Sequence, residues 1–364
     1  MIKKKLLVIT GGGDCPGLNA VIRAIVKSAD NNKNWDVYGS IEAFKGVMAD
    51  PVDIVKLDIR NTRGIHVKGG TIIKTTNKGN PIKYPHVDEA GNISYRDISD
   101  HLIECINDQG FDAVISIGGD GSQMISQALY EKGLNIVGVP KTIDNDLSST
   151  DLTFGFRTAV QIATDAFDKL VTTAESHNRV MILEVMGRDA GWIALNTAIA
   201  GGAEICLIPE IPFEIDQVVN EINKRYEGGK GFVNIVIAEG AKINNTSVGT
   251  HEEGDINIKL GGIGNKLRLV LEENGCLPDI RVTTLGHIQR GGTPIAFDRI
   301  LATAFGVAAF DLVVEGKFGK MVCFRNNQIE STSLKEAVEN YNYVRSDDFL
   351  IYTARQVGVS FGEK

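Results

Sequence analysis

Short apolar runs alternate along the chain with longer amphipathic patterns. Runs such as KLLVIT at 5–10, DAVISI at 112–117 and RVMILEV at 179–185 have the length and the β-branched content of buried strands. Each is followed by a glycine-containing turn and then by apolar residues at helical spacing; in the first helix Leu18 and Ile22 share one face. This order of elements predicts parallel βαβ units.

The recurrence of strand, turn and helix in both halves of the chain predicts an α/β fold. We expect two doubly wound, Rossmann-like lobes with mostly parallel sheets. Ligands in such folds bind beyond the carboxyl ends of the strands, so we expect the active site in the cleft between the lobes. Residues 75–100 and 244–265 are rich in turn residues and interrupt the pattern, and we predict surface loops there.

The composition narrows the classes of function. The chain has 364 residues, 43% hydrophobic and 23% charged, as in an ordinary globular protein. Its 38 basic and 46 acidic residues give a net charge of −8, which argues against a nucleic-acid or anionic-membrane binder. Five scattered cysteines without C-x-x-C spacing argue against a disulfide framework or a zinc site. The opening MIKKKLLVIT is too short for a signal peptide, so we predict a first strand and a cytoplasmic location.

The most informative glycine turn is GGDGS at 118–122. Its glycines allow backbone N–H groups to approach phosphate oxygens, and the Ser122 hydroxyl adds a donor. Asp120 cannot hold phosphate directly because like charges repel, but it can contact a Mg²⁺ ion that lies between it and the phosphates. The alternative is an aspartate that caps the following helix. The earlier turn around Asp14 is equally compatible with a tight chain reversal.

The stretch PKTIDND places Asp144 and Asp146 two residues apart after another strand. On an extended segment both side chains would face the same way. One carboxylate is then a candidate general base for a hydroxyl, and the other is a candidate to orient it or to help hold the metal. The alternative is an Asx turn around Asn145.

Charged residues follow other strands. Arg188 in MGRDAG and Arg290 in HIQRGG lie among glycines, although a single arginine is more typical of a solvated surface. Several arginines that converge would suit a phosphorylated substrate. Glu239 is a candidate to bind sugar hydroxyls or, alternatively, marks a helix start. Together these residues predict Mg²⁺-assisted phosphoryl transfer to a hydroxyl of a small phosphorylated molecule.

Seven motifs resemble the 6-phosphofructokinase family, in order and over essentially the whole chain: GGDCPGLNAVIR, IGGDGS, PKTIDND, FGFRTA, EVMGRDAGWIA, AGGAE and LGHIQRGGTPIAFDRILA. The resemblance implies the glycolytic transfer of the ATP γ-phosphoryl group to the 1-hydroxyl of fructose 6-phosphate, with Mg²⁺ as cofactor. The product is fructose 1,6-bisphosphate. It also implies a homo-oligomer, usually a tetramer, whose active sites are shared between subunits.

The resemblance assigns roles to the matching residues. Asp144 is the expected base, and the catalytic group also includes Thr142, Asp146 and Arg188. The residues expected around the phosphoryl donor are Gly13, Gly119, Asp120, Gly121, Ser122 and Lys141, with Asp120 as the Mg²⁺ contact. The residues expected around the sugar phosphate are Thr142, Asp144, Met186, Gly187, Arg188, Glu239, His287 and Arg290, with Arg179 and Arg281 reaching in from an adjacent subunit. The donor lobe would comprise residues 1–149 and about 287–335, and the sugar-phosphate lobe 150–286 and about 336–364.

Two departures from the family pattern concern the donor. Pyrophosphate-dependent members typically carry lysine at the position of Lys141, together with aspartate at the position of Gly121, whereas bacterial ATP-dependent members commonly have glycine at the former. A carboxylate at 121 would crowd and repel an α-phosphate, so Gly121 favours ATP, with pyrophosphate as the alternative. Asn77 replaces an arginine of many relatives, and Lys74 and Lys78 are candidate substitutes.

Another departure concerns regulation. Ile59 and Val171 replace arginines of the effector site, while Arg23 and Glu204 are retained, so we predict weak or absent control by ADP and phosphoenolpyruvate. NAD kinase-like and lipid kinase-like proteins share GGDG but not PKTIDND or GHIQRGG, which makes them poorer alternatives. A non-catalytic nucleotide-binding subunit would be expected to lack Asp144, which is present.

Overall fold

The structure, a computed structural model, describes residues 3–88, 91–229, 231–244, 246–250 and 259–364. It divides into two compact units. The first contains the residues up to Arg157 together with Arg290–Tyr341, and the second contains Thr158–Gln289 and Asn342–Lys364. Each junction lies several residues C-terminal to the corresponding predicted lobe boundary, and which unit binds which ligand stays a prediction.

The bounds of the described elements are as follows. The strands are β1 (Lys4–Thr10), β2 (Trp35–Ser40), β3 (Ile54–Leu57), β4 (Tyr84–Val87), β5 (Ile93–Arg96), β6 (Ala113–Gly118), β7 (Ile136–Thr142), β8 (Phe154–Gly155), β9 (Val180–Val185), β10 (Ile205–Leu207), β11 (Val233–Ala238), β12 (Gly249–Thr250), β13 (Lys259–Leu260), β14 (Ile280–Thr284), β15 (Lys320–Arg325) and β16 (Gln328–Ser333). The α-helices are α1 (Leu18–Asn32), α2 (Phe44–Met48), α3 (Ser99–Asp108), α4 (Asp120–Glu131), α5 (Phe156–His177), α6 (Trp192–Gly201), α7 (Ile215–Glu227), α8 (Ile263–Glu273), α9 (Ala296–Val314), α10 (Leu334–Glu339) and α11 (Phe349–Gln356). Short 3₁₀ helices span Ile65–Val67 and Gly286–Arg290.

The sheet of the first unit has the strand order β16-β15-β7-β6-β1-β2-β3, with β8 paired to β7. Its central strands are parallel, whereas β3 and β16 are antiparallel edge strands. The chain continues from β1 to β2 on one side and later to β6 on the other, so the topological switch point lies between β1 and β6. Ligands bind at the carboxyl ends of the strands at such a point. The first glycine turn and GGDGS follow these two strands.

The sheet of the second unit is parallel, with the order β10-β11-β9-β14. Its switch point lies between β9 and β14, because β10 and β11 are on one side of β9 and β14 is on the other. MGRDAG follows β9, and LGHIQRGG follows β14. The predicted α/β fold with mostly parallel sheets is confirmed.

The burial of the strands explains why apolar runs in the sequence predicted them. Every residue of β6, β9 and β11 is buried, as expected for strands covered on both faces. Helix α1 buries nine of its 15 residues, including Leu18, Ile22 and Ile25, and packs against α9. All five cysteines are free.

The stretches predicted as surface loops contain regular structure, so those predictions were incomplete. In the first stretch β4 and β5 form an antiparallel hairpin with Tyr84 opposite Arg96, and most of its residues are exposed. In the second, β12 pairs with β13 and α8 begins at Ile263; residues 251–258 lie outside the described part. Within the described ranges, no helix is long and apolar enough to cross a membrane.

Candidate active site

The first glycine turn and GGDGS meet at the switch point between β1 and β6. The Gly11 N–H donates to the Ile117 carbonyl at 2.9 Å, which ties the turn after β1 to the last residues of β6. A Cβ on Gly118 would overlap the Ser122 side chain, and a Cβ on Gly11 would lie 2.8 Å from Ser122 Oγ. Gly118, which was predicted to let phosphate approach, therefore also makes room for this serine, as does Gly11.

Gln123 joins the ends of β6 and β7. Its Nε2 donates to the carbonyl oxygens of Gly118 at 2.9 Å and Val139 at 3.0 Å, and the residue is fully buried. This side chain holds the GGDGS turn beside the strand that leads into PKTIDND. The role of Gln123 was not predicted; the available signal is its place in the first helical turn after GGDGS.

The acidic loop after β7 is not extended, so that prediction was wrong. Strand β7 ends at Thr142, and Asn145 adopts a left-handed conformation with φ of 54°. The Asn145 amide donates to the Asp151 carbonyl at 3.3 Å, and its Oδ1 accepts from the Thr153 N–H at 3.0 Å. Asparagine tolerates this conformation better than most residues, and these two bonds anchor it to the segment that follows.

The acidic side chains of the two motifs nevertheless lie near one another. Burial, followed by the negative charges of Asp144 and Asp120, raises the pKa of Asp146 to about 7. The Asp144 N–H donates to Thr142 Oγ1 at 3.1 Å, which fixes the backbone where the loop leaves β7. The aspartates of GGDGS and PKTIDND therefore share one neighbourhood of the first unit.

This neighbourhood fits a hydrated Mg²⁺ ion. Asp146 Oδ1 is buried and has no hydrogen-bond partner among the described residues, and a divalent cation would offset the repulsion among the carboxylates. No group of three His, Cys, Asp or Glu side chains in the described part is arranged to hold a metal by itself. Mg²⁺ usually keeps several waters and binds through one or two carboxylates beside phosphate oxygens.

Two cations pack against Gly13. Lys141 Nζ donates to the Gly13 carbonyl, and burial of the ammonium lowers the pKa of Lys141. A Cβ on Gly13 would overlap the Arg290 guanidinium, so any larger residue there would displace that group. Positive charge is thus concentrated at the first glycine turn, where an anion would find its counter-charge.

In the second unit, the turns after β9 and β11 are hydrogen-bonded to each other. The Glu239 N–H donates to the Val185 carbonyl at 2.9 Å, and the Gly240 N–H donates to the Gly187 carbonyl at 3.0 Å. A Cβ on Gly240 would overlap the Arg188 carbonyl oxygen. These contacts bring Arg188 and Glu239, two predicted site residues, onto adjoining turns.

Gln289 orients the first of these turns. Its Oε1 accepts from the Met186 N–H at 2.8 Å and its Nε2 donates to the Ala159 carbonyl at 3.5 Å, both within the second unit. Gln289 is fully buried, and no role was predicted for it within the motif HIQRGG. His287 lies in the same 3₁₀ helix after β14 and is exposed.

A cavity of about 730 Å³ lies next to Arg188 in the second unit. Lys242 also lines it, so two cationic side chains border the space. Glu210 forms another part of the wall; its carboxylate accepts from the Gly191 N–H and the Val344 N–H, both at 2.9 Å. Burial raises the pKa of Glu210. Its two backbone bonds hold the start of α6 beside the segment that follows Tyr341.

Arg179 and Arg281 lie away from the other predicted sugar-phosphate residues of the second unit. Arg179 Nε and Arg281 Nη1 each contact the Asp279 carboxylate at 2.8 Å. They stand where β9 and β14 begin, whereas Met186–Arg188 follow the end of β9. A strand of this length separates its two ends by about 20 Å. The structure therefore does not bring the two arginines to that turn within one unit.

Comparison with known proteins decides the family. The family model for phosphofructokinase matches residues 5–313. The chain belongs to the phosphofructokinase family. It is 46% identical over 363 residues to ATP-dependent 6-phosphofructokinase 2 of Clostridium perfringens, with 99% of each chain covered. It is 45% identical over 364 residues to ATP-dependent 6-phosphofructokinase 1 of Synechocystis sp., with 99% and 98% covered.

A solved phosphofructokinase from Saccharomyces cerevisiae is 31% identical, with a TM-score of 0.76. The match covers 93% of this chain and 45% of the yeast chain, so the chain spans less than half the length of that relative. The resemblance to the family that the sequence motifs indicated is confirmed.

One departure from the phosphofructokinase pattern lies beside the first glycine turn. The Gly12 N–H donates to the Thr76 carbonyl at 2.9 Å, and Thr75 Oγ1 donates to the Gly12 carbonyl at 2.6 Å. Asn77 directly follows this contact. Thr10 Oγ1 donates to the Lys74 carbonyl at 2.6 Å, which holds that residue at the end of β1. Lys74 and Lys78 stay the predicted substitutes for the arginine that the resemblance placed at Asn77.

Glu204, which the family resemblance places in an effector pocket, has two partners in this chain. Its Oε1 pairs with Arg225 at 2.5 Å, and its Oε2 accepts from the Asn234 N–H at 2.7 Å. Both carboxylate oxygens are therefore already engaged. The predicted weak response to ADP and phosphoenolpyruvate stays a prediction, and this arrangement agrees with it.

Proposed function

We propose that the chain is a magnesium-dependent 6-phosphofructokinase that transfers the γ-phosphoryl group of ATP to the 1-hydroxyl of fructose 6-phosphate. The observation that carries this proposal is the electrostatic neighbourhood of Asp120, Asp144 and Asp146 in the unit whose glycine turns meet at a switch point. Acids at a glycine-rich strand end suit a reaction in which metal-bound phosphates approach a hydroxyl. The names of the full-length relatives support the same activity.

Asp144 is the proposed general base, which takes the proton of the 1-hydroxyl as its oxygen attacks phosphorus. Thr142 holds the Asp144 backbone N–H, and this bond orients the start of the loop. Asp146 lies beside Asp144, and a Mg²⁺ ion bound nearby would offset the negative charge that Asp144 and Asp120 add to its surroundings. A Mg²⁺ ion held by Asp120 would neutralise charge on the donor phosphates.

The donor is proposed to bind in the first unit. Backbone N–H groups at Gly13, Gly119 and Gly121 and the hydroxyl of Ser122 are the proposed contacts to its phosphates. Lys141 contributes positive charge from beneath Gly13, with which it is hydrogen-bonded. The proposed glycine and serine contacts lie in the turns that follow β1 and β6.

The sugar phosphate is proposed to bind to residues that follow β9, β11 and β14. Met186, Gly187 and Arg188 and the adjoining Glu239 supply backbone, guanidinium and carboxylate contacts, and Arg188 is also the proposed stabiliser of the transferred group. The remaining proposed contacts are His287 and Arg290, with Arg179 and Arg281 from a neighbouring subunit of a homotetramer.

Gly121 favours ATP over pyrophosphate. A Cβ at this position would meet no atom within 4 Å, so the space in front of it is open. The observation that favours pyrophosphate is Lys141. Its ammonium, however, is buried and bonded to the Gly13 carbonyl, and in this way it supports the glycine turn whichever donor binds.

A donor assay tests the proposal. Fructose 1,6-bisphosphate formation is measured with ATP and with pyrophosphate at equal concentration, each with excess Mg²⁺ and fructose 6-phosphate. We expect turnover with ATP and little with pyrophosphate. Turnover on pyrophosphate alone would overturn the choice of donor, and product formation with neither would overturn the proposed reaction.

Gly121→Asp tests the steric argument. Because the position faces open space, the substitution should leave the free energy of unfolding nearly unchanged while lowering kcat/KM for ATP by about 100-fold or more through repulsion of the phosphates. Gly121→Ala is the matched control, since it adds bulk without charge and should retain most activity. Unimpaired use of ATP by the aspartate variant would contradict the argument.

A further inference from the structure

Tyr341 contacts the proposed metal ligand from a distant part of the sequence. Its hydroxyl donates to Asp120 Oδ2 at 2.6 Å, within the usual range for a bond between a hydroxyl and a carboxylate. The two residues are 221 positions apart, and both belong to the first unit. Tyr341 follows α10 and remains 41% exposed, so burial of its ring does not by itself account for its position.

The backbone of Tyr341 is also attached to the other acidic motif. Tyr341 forms an isolated antiparallel bridge with Leu147, the residue directly after PKTIDND. Two residues further on, Ser149 Oγ donates to the Glu336 carbonyl in α10 at 3.1 Å. The segment that carries Tyr341 is thus fixed to the loop that contains Asp144 and Asp146, while its side chain holds Asp120.

The Tyr341 bond fixes the orientation of the Asp120 carboxyl group. Asp120 is the first residue of α4, where unpaired backbone N–H groups compete for an aspartate oxygen. The Tyr341 hydroxyl holds Oδ2 and restricts rotation of the carboxyl group. Oδ1 then has a defined direction relative to the loop after β7.

We propose that Tyr341 is a positioning residue that orients Asp120 to receive the divalent cation of a metal-bound polyphosphate. The inference rests on the proposed function, because it takes Asp120 as the metal contact. Tyr341 itself touches neither the metal nor the reacting atoms. Its hydroxyl acts through Asp120, and its bridge to Leu147 keeps that aspartate in register with the acidic loop.

Tyr341→Phe removes the hydroxyl and keeps the ring. The test uses the full-length protein and measures Mn²⁺ binding by electron paramagnetic resonance in the presence of a non-hydrolysable ATP analogue, so that no turnover is needed. We expect Mn²⁺ to bind about tenfold more weakly, the lower end of what loss of an outer-shell partner costs. Calorimetry should find fructose 6-phosphate binding unchanged, and the KM for magnesium should rise more than kcat falls.

Two further variants make the outcome decisive. Tyr352→Phe removes a hydroxyl from an exposed tyrosine in α11 and should leave Mn²⁺ binding as in the unmodified chain. Asp120→Asn should weaken Mn²⁺ binding at least as much as Tyr341→Phe. If Asp120→Asn weakens it and Tyr341→Phe does not, the positioning role is wrong although the proposed metal contact stands.

If neither substitution weakens Mn²⁺ binding, the assignment of Asp120 as metal contact fails, and the inference about Tyr341 fails with it. A purely structural role would give a different result. In that case Tyr341→Phe would lower the melting temperature and weaken fructose 6-phosphate and Mn²⁺ binding together. That joint loss would also overturn the proposal.

Discussion

At the scale of single residues, Asp146 has a strongly perturbed environment. It is largely buried, Asp144 and Asp120 add negative charge, and Oδ1 finds no hydrogen-bond partner in the described ranges. Buried charge of one sign is costly unless a cation offsets it. Without a bound cation, these carboxylates lower the stability of the folded protein relative to uncharged residues at the same positions. Residues selected for function commonly carry such a cost in stability.

The raised pKa of Asp146 predicts a pH-dependent stability. The ordinary pKa is 3.8 and the folded value is about 7, so between these values the folded state holds a proton that the unfolded chain has released. Stability therefore falls as the pH rises through this window, and the penalty is fully present above pH 7. Asp146→Asn should raise the free energy of unfolding at pH 8 by about 1 to 3 kcal/mol.

The measurement is urea unfolding of both proteins at pH 8 and at pH 4.5, without Mg²⁺ or nucleotide. Most of the gain should disappear at the lower pH, where the aspartate is protonated in the folded state. An equal gain at both values would mean that asparagine stabilises through packing or hydrogen bonding, and the electrostatic explanation would be wrong.

At the scale of elements, Gln123 determines how the ends of β6 and β7 lie side by side. Parallel strands pair along their length, but the turns that leave them need separate contacts to stay together. Gln123 supplies two such contacts from the first turn of α4. Its buried position leaves little room beside β7, where a Cβ on Gly138 would overlap the Gln123 amide.

Gln123→Leu should therefore lower the free energy of unfolding by about 1 to 3 kcal/mol, because the Gly118 and Val139 carbonyls each lose a donor. Urea unfolding measures this loss. The matched control is Gln127→Leu, one turn later in α4, whose exposed bond is to Glu131 and whose loss should cost less than 0.5 kcal/mol, an approximate bound for surface positions. Equal effects of the two substitutions would contradict the role given to Gln123.

The elements that sequence reasoning identified were those with a local signal. β6 and β9 are mostly apolar runs that lead into glycine-containing turns, and parallel sheets produce that pattern. The β4–β5 hairpin was missed because its exposed residues carry no alternation of apolar and polar positions. The left-handed Asn145 depends on Asp151 and Thr153, and Tyr341 reaches Asp120 from 221 positions away. Contacts of this kind join separate segments, so the sequence around each residue gives no signal of them.

At the scale of the whole molecule, Arg179 and Arg281 bear on how many subunits form one site. Both contact Asp279 at the start of their strands, whereas Arg188 follows the end of β9. The family resemblance predicts that these two arginines serve the active site of a neighbouring copy. Arginines that pair with an aspartate at the start of these strands can exchange its carboxylate for a phosphate, because both anions present oxygens to the guanidinium group.

Mixed oligomers test this prediction. Arg179→Ala and Asp144→Ser should each be nearly inactive, but a hybrid made by unfolding and refolding them together should recover activity. If every site takes Asp144 from one chain and Arg179 from another, random assembly of equal amounts makes roughly a quarter of the sites complete. The matched control is a mixture of Asp144→Ser with Asp120→Asn, since both residues belong to the first unit of the same chain and no hybrid site regains the pair. If the activity of the first mixture only equals the summed activities of the two separate variants, each chain completes its own site. The arginines at the start of β9 and β14 would then need another role.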